Sequence, residues 1–296
     1  VHYLEIKNKY GYYEFFSSTY LTYCLSGLLN LADFAQDTQI KNLATTAAQR
    51  LLKELLMLTN TDGSFYPAAG RNYYGKYDDP FQQNHSSLIY MLTGLNPVPN
   101  VVSHSGGFLS TSDLDVNAVI NSWRTEIDTL YSVGHSIDSV KIIHQDQKKV
   151  DRIMFQWSSG CYFHPLFAYE SAELLADSNT WAHVDFEQLS ILEGIEPSLA
   201  ENLAGQLSSI SKSTVIADAD IRIFKNNGIT LASIQDFWKG KLGYQQFPIA
   251  ANVGNTAVFP ASGEVEPNWS DGPSSNMNDH LPYVEQDKNV ALVMYR

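Results

Sequence analysis

Cysteine is nearly absent: Cys24 and Cys161 are the only two in 296 residues, too few for a disulfide scaffold. Cys24 falls on the apolar stripe of a predicted helix, where a small thiol is ordinary core material. No apolar run is long enough to cross a bilayer, which predicts a soluble protein without a membrane span. Basic side chains are scarce, 19 against 32 acidic ones, for a formal net charge of −13. No Lys/Arg run exists to track a phosphate backbone, so nucleic acid is not an expected partner. The acidic balance also resists diffuse attraction of anionic polymers, though a single basic cleft can still hold one. Neither HExxH nor an EF-hand loop occurs, and His104, His135, His144, His183 and His280 stand at no metal-ligand spacing. No metal or other cofactor is therefore expected. There is no GxSxG elbow for a serine nucleophile and no glycine-rich phosphate loop; Ser105-Gly106-Gly107 reads as a turn.

What is present is enough for a sizeable core. The chain is 44% apolar, and at this length two domains are plausible. Seventeen tyrosines and five tryptophans, with abundant Asn and Gln, suit a surface that meets sugars. Val1-His2-Tyr3-Leu4-Glu5 is not a basic leader followed by an apolar run, so an export signal is expected to have been removed or to lie upstream. The run Val290 to Tyr295 (VALVMY) reads as a strand in need of a partner, because isolated pairs are marginal in water. Both ends suggest a fragment of a longer chain.

Apolar residues at helical spacing predict a helix over 19–37 (Leu21, Cys24, Leu25, Leu28, Leu31, Ala32, Ala35) and another over 38–58 (Ile40 through Leu58). Thr38 is the expected N-cap, and the short Gln36-Asp37 link makes the two antiparallel neighbours. A Gly/Asn/Tyr-rich loop from Asn60 to Asp79 follows, long enough to be functional and too aromatic for a disordered linker. Further helices are expected at 81–94, at 113–131 with Ser112 or Asp113 as cap, and at 165–177, 184–193 and 197–211. Residues 97–112 read as a polar stretch, and 139–157 as a short hairpin or inserted loop. Pro165 and Pro197 suit first turns. Beyond 213 the period becomes strand-like. Ile221–Phe224 and Ile229–Ala232 flank an Asn-Gly hairpin signal, and 246–251 with 256–259 form a second pair. The organisation is thus α+β, with a helical part over 1–212 and the start of an antiparallel β domain over 213–296.

Four local strings carry a resemblance: Glu14-Phe15-Phe16-Ser17-Ser18-Thr19-Tyr20, Gly70-Arg71-Asn72-Tyr73, Phe163-His164-Pro165 and Asn289 to Tyr295. In order and spacing over residues 10–296 they resemble bacterial proteins of the heparinase II/III and alginate-lyase type. That resemblance implies an (α/α) toroid followed by an antiparallel β-sandwich-type domain. It also implies a secreted or periplasmic protein acting on a polysaccharide or oligosaccharide, without a cofactor.

Lyases of uronate glycans need a base for the C5 proton, a donor to the leaving oxygen, and groups that stabilise the enolate-like carboxylate. In the resembled families Tyr and His commonly fill the first two roles, and Arg, Asn or Gln the third. On that basis Tyr73, Tyr74 and His164 are the catalytic candidates; Arg71, Asn72, Glu14, Asn84 and Trp157 are the substrate-binding ones. Each has a plainer reading. Arg71 can grip a carboxylate bidentately, or staple its loop to a helix carboxylate such as Glu54. Tyr73 and Tyr74 can be base, acid or stacking platform, or buried rings bonded to backbone. His164 before Pro165 sits where a helix N-terminus favours a neutral imidazole, or it is simply a cap. Glu14 can bind a sugar hydroxyl or complement a helix dipole. His85, placed inside a predicted helix, reads as packing or surface. A glycoside hydrolase would need two carboxylates about 5–10 Å apart, for which Glu14 with Asp78, Asp79 or Glu170 are candidates. A non-catalytic glycan-binding protein is the third reading. The sequence carries no signal for an oligomeric state.

Overall fold

The computed structural model describes residues 1–12, 15–66, 80–95, 103–134, 168–184, 190–196, 198–199, 202–203, 218–235, 247–254, 256–259 and 281–295. It is a mixed structure of helices and antiparallel sheet, in keeping with an α+β class.

A short helix that periodicity did not announce, α1 (His2–Tyr10), precedes the expected pair. It buries Leu4, Ile6 and Lys7, the ammonium of Lys7 standing over the rings of Tyr3 and Tyr12 at 5.2 and 5.1 Å. The pair itself is α2 (Tyr20–Phe34) and α3 (Thr38–Met57). Their apolar stripes interdigitate through Leu21, Leu25, Leu28, Leu29 and Ala32 on one side and Ala44, Ala47, Ala48, Leu51, Leu52 and Leu55 on the other. Each fully buried leucine is worth roughly 1.5–3 kcal/mol of transfer free energy, which makes this hairpin the anchor of the helical layer. The N-cap of α3 is Asp37 rather than Thr38: its Oδ1 accepts from the amides of Gln39 and Ile40 at 2.8 and 3.1 Å. A carboxylate there satisfies two orphan donors and also complements the helix dipole.

Three shorter helices complete this part: α4 (Ser86–Thr93), α5 (His104–Thr111) and α6 (Asn117–Thr125). α4 starts five residues later than expected and ends on Gly94 in the left-handed region. α5 occupies the stretch that reads as merely polar, and Ser112 after it donates to Asp33 of α2 rather than capping a helix. The helix expected at 113–131 is a helix and then a strand. α6 stops at Thr125, and β1 (Asp128–Gly134) follows. Residues 129–133 alternate between half-buried or buried (Thr129, Tyr131, Val133) and exposed (Leu130, Ser132), the period of a strand with one covered face. α7 (Ala168–Ser178) buries Ala172, Leu174 and Leu175. Of the helix expected at 184–193, the described residues 190–192 form a 3₁₀ turn. Most of 197–211, and the hairpin expected at 139–157, lie outside the described residues.

β1 is the edge of a five-stranded antiparallel sheet in the order β1-β2-β3-β4-β5, with β2 Asp218–Asn226, β3 Ile229–Gln235, β4 Ile249–Val253 and β5 Thr256–Val258. The β2–β3 turn is the expected Asn-Gly pair, with φ of 47° at Asn227 and 79° at Gly228; both central residues at positive φ match the twist of a hairpin. β6 (Tyr283–Asp287) and β7 (Val290–Met294) form a separate antiparallel pair, so the terminal strand does have its partner. Gln286 of β6 ties that pair to β3, accepting from Ser233 Oγ at 2.7 Å and donating to the Leu231 carbonyl at 3.2 Å. One face of the five-stranded sheet (Val133, Ala219, Ile221, Ile223, Ala232, Ile234, Ala250) packs on Phe15, Phe16, Met57, Leu58, Phe65 and Tyr66. The sheet therefore sits on the C-terminal end of α3 and on the two linkers beside it.

Candidate functional site

Three stretches of backbone meet over that second core. The first is the turn Phe15–Thr19 that leads into α2. Phe15 and Phe16 are fully buried there and meet edge to face at 6.2 Å, and Phe16 adopts a φ of 55°. The second is the end of α3 and the turn 58–66, in which Thr59 bridges Phe65 and the Asn60 amide donates to the Ser64 carbonyl at 2.8 Å. The third is Pro80–His85. The Phe65 amide donates to the Pro80 carbonyl at 3.1 Å, which pins together the described residues on either side of 67–79.

Polar side chains line this meeting point. Ser18 Oγ donates to Gln83 Oε1 at 3.4 Å, and Asn84 Nδ2 donates to Thr19 Oγ1 at 2.7 Å, joining the start of α2 to the approach to α4. The Gln83 amide donates to Ser86 Oγ at 2.9 Å. His85 is fully buried just before α4, not within it, its ring edge-on to Phe65 at 4.1 Å between centroids. Its carbonyl accepts from the amides of Leu88 and Ile89, so its backbone serves the first helical turn. Residues 15–32 and 80–95 contain no Asp, Glu, Lys or Arg. In a chain of net charge −13, the wall built from Ser17, Ser18, Thr19, Gln83, Asn84 and His85 thus contains no acidic or basic side chain of the Asp, Glu, Lys or Arg kind; Ser17, Ser18, Gln83 and His85 are buried in it, and Thr19 and Asn84 are half-buried.

Of the catalytic and substrate-binding candidates for the lyase reading, Asn84 is the one the structure describes. It is half-buried and donates to Thr19 Oγ1. Glu14, Arg71, Asn72, Tyr73, Tyr74, Trp157 and His164 lie outside the described residues. An amide such as Asn84's has donor and acceptor capacity beyond one bond to Thr19, and an imidazole beside it can hold or release a proton. Among the described residues no group of three His, Cys, Asp or Glu side chains is arranged to hold a metal ion.

A second polar cluster lies on the other side of Phe16, unforeseen as a unit. Glu54 of α3 is fully buried; its Oε1 accepts from Tyr131 of β1 at 2.5 Å and from Arg50 Nε at 3.3 Å. Arg50 also donates through Nη1 to the carbonyls of Asn8 and Lys9 at 2.7 and 3.2 Å, closing the end of α1, and lies 5.5 Å from the Tyr131 ring centre. Burial pushes Glu54 above the usual carboxylate range, against the hydrogen bond from Tyr131 and the charges of Arg50 and Lys7. Burial likewise raises the Tyr12 and Tyr131 phenols, with Glu54's charge adding to both. The signal for this cluster was a glutamate among Leu51, Leu55 and Leu58 on the buried stripe of α3. A charge there needs a buried partner.

No family model, no curated protein and no solved structure matches this chain.

Proposed function

We propose that the chain belongs to a carbohydrate-active protein, a polysaccharide lyase that cleaves an acidic, uronate-containing glycan by β-elimination. The observation that carries this reading is the polar wall of Ser17–Thr19 and Gln83–His85, of which Thr19 and Asn84 are the half-buried members and the rest are buried behind them as support. An anionic chain approaching most of this protein meets like charge, a repulsion that matters at short range. At this wall the half-buried Thr19 and Asn84 offer a hydroxyl and an amide instead, and such groups can stabilise the carboxylate as it gains enolate character. The wall adjoins Phe15 and Tyr66, the described residues nearest in sequence to Glu14 and to the Arg71-Asn72-Tyr73-Tyr74 stretch.

In this scheme Asn84 neutralises the uronate carboxylate, with Arg71 and Asn72 as further ligands. Tyr73, Tyr74 or His164 removes the C5 proton and protonates the leaving oxygen. Glu14 and Trp157 contact flanking sugars, and His85 is an added candidate for the proton transfer. The finer architecture belongs to the same proposal: the helical hairpins form part of an (α/α) toroid, the strands open a β-sandwich-type domain, and the protein is secreted or periplasmic.

The test is to incubate the protein with alginate, heparan, chondroitin, hyaluronan and glucuronan and follow ultraviolet absorbance of the unsaturated uronate product. Absorbance should rise with at least one polymer. It should disappear with Tyr73→Phe, Tyr74→Phe or His164→Ala, and Asn84→Ala should slow turnover by about 100-fold. A flat trace from folded protein on every polymer would sink the lyase reading and turn attention to reducing-end assays on neutral glycans.

A further inference from the structure

We propose that Glu54 is a pH-sensitive lock that fastens α1 and β1 to α3, closed when its carboxyl is protonated and loosened when it ionises. The inference is independent of the activity proposed above.

Three elements and one linker meet at this carboxyl. From α1 comes Lys7, whose charge bears on Glu54 and whose ammonium stands over the Tyr3 ring; from the linker comes Tyr12; from α3 comes Arg50; from β1 comes Tyr131. The packing is close enough that a β-carbon on Gly11 would lie 3.1 Å from Glu54 Oε1, 3.0 Å from Val133 Cγ2 and 3.2 Å from Arg50 Nη2. The two carboxyl oxygens are treated unequally. Oε1 takes both hydrogen bonds, whereas Oε2 is buried without a hydrogen-bond partner among the described residues. A carboxylate spreads its charge over both oxygens, and a buried oxygen without a donor is costly when charged. A proton on Oε2 removes that cost without disturbing either bond to Oε1. The geometry thus suits the neutral acid, in agreement with the upward push from burial.

The consequence follows from linkage. A carboxyl whose folded value is raised above the ordinary 4.5 favours the closed form fully below that value, and the advantage is lost as pH rises toward the folded value. Separating α3 from α1 and β1 lets the carboxylate reach water. One ionisation lowers the closed-to-open ratio by at most about tenfold per pH unit within that window.

The test is amide hydrogen exchange, normalised to intrinsic rates, between pH 4.5 and 8. Protection of α1 and β1 amides should fall with rising pH by up to about tenfold per unit, while β4 amides hold steady. Glu54→Gln should abolish the slope, because the amide cannot ionise. Tyr131→Phe removes a hydrogen bond that favours the charged form, so it should extend the fall to higher pH. A wild-type profile without the slope, or a Glu54→Gln profile that keeps it, overturns the proposal. So does a β4 profile that falls in parallel. If Glu54→Gln does not fold, the Tyr131→Phe profile decides, and an unshifted window overturns the lock.

Discussion

At the scale of single residues, two glycines separate conformation from packing. Gly11 sits at φ 78° with Val133, Glu54 and Arg50 crowded against the space a side chain would fill. Alanine there meets both a left-handed backbone and side chains that are already engaged. Gly11→Ala should therefore lower unfolding free energy by about 1–3 kcal/mol, read from the midpoint of urea denaturation. Gly27, inside α2, is the opposite case: a β-carbon there meets nothing within 4 Å. Gly27→Ala should raise stability by about 0.5–1 kcal/mol, the helix-propensity difference and little else. The candidate site was legible at this scale only in part. Asn84 stands out in sequence as an amide beside an aromatic loop, and the structure joins it to Thr19 across 65 residues. His85 reads as packing or surface because apolar periodicity runs through 81–94. The turn that places it against Phe65 depends on the Gln83–Ser86 bond, which no spacing rule announces. In the sequence Glu54 stands out only as a possible partner for Arg71, whereas its described hydrogen-bond partners come from α3 itself and from β1.

At the scale of elements, the sequence was readable where one force dominates. The α2–α3 hairpin follows from two strong apolar stripes, and the β2–β3 hairpin from Asn-Gly, because few residue pairs tolerate two positive φ values. Replacing Gly228 with valine should destabilise the hairpin by about 1–3 kcal/mol, since a β-branched residue at φ 79° is strained. Exchange protection in β2 and β3 should fall with it. Reading failed where forces compete. α1 has only a weak apolar face, and it is held by contacts that no local window contains: Asn8 Nδ2 donates to the Leu43 carbonyl at 3.0 Å, and Arg50 closes its C-terminal end. α5 is a polar octamer containing two glycines, yet it packs against α2. β1 hides in an apparent helix because Val119, Trp123 and Leu130 fall at helical spacing. The break comes at Glu126, which accepts from Ser122 at 2.5 Å and from Lys53 at 3.0 Å, drawing the chain out of its helical path towards β2.

At the scale of the whole molecule, helices and sheet are joined along a seam with a different titrating group at each end. Glu54 stands at one end. At the other, Lys225 of β2 donates to the Leu56 carbonyl at 3.5 Å and faces the Trp123 ring at 6.0 Å. Lys53 and Lys225 gather there around the Glu126 carboxylate. Burial pushes the Lys225 ammonium down to about 8 from its ordinary 10.5, with Lys53 adding to the fall and Glu126 opposing it. A lysine depressed in the folded state binds its proton more tightly once unfolded. Stability should therefore rise with pH between those two values. The phenols set the upper limit of a usable window: Tyr3 and Tyr66 are raised to about 12 by burial, so their contribution falls once pH passes their ordinary 10. Between pH 8 and 10 the wild-type denaturation midpoint, measured against Lys225→Met, should climb with pH. Methionine keeps most of the apolar stem without the charge, so the variant gains its stability at once and should lead at pH 8. The lead should narrow as Lys225 loses its proton. A constant gap across that interval would mean that the Lys225 ammonium keeps its charge in the seam, and that the Leu56 carbonyl and Glu126 together compensate its burial.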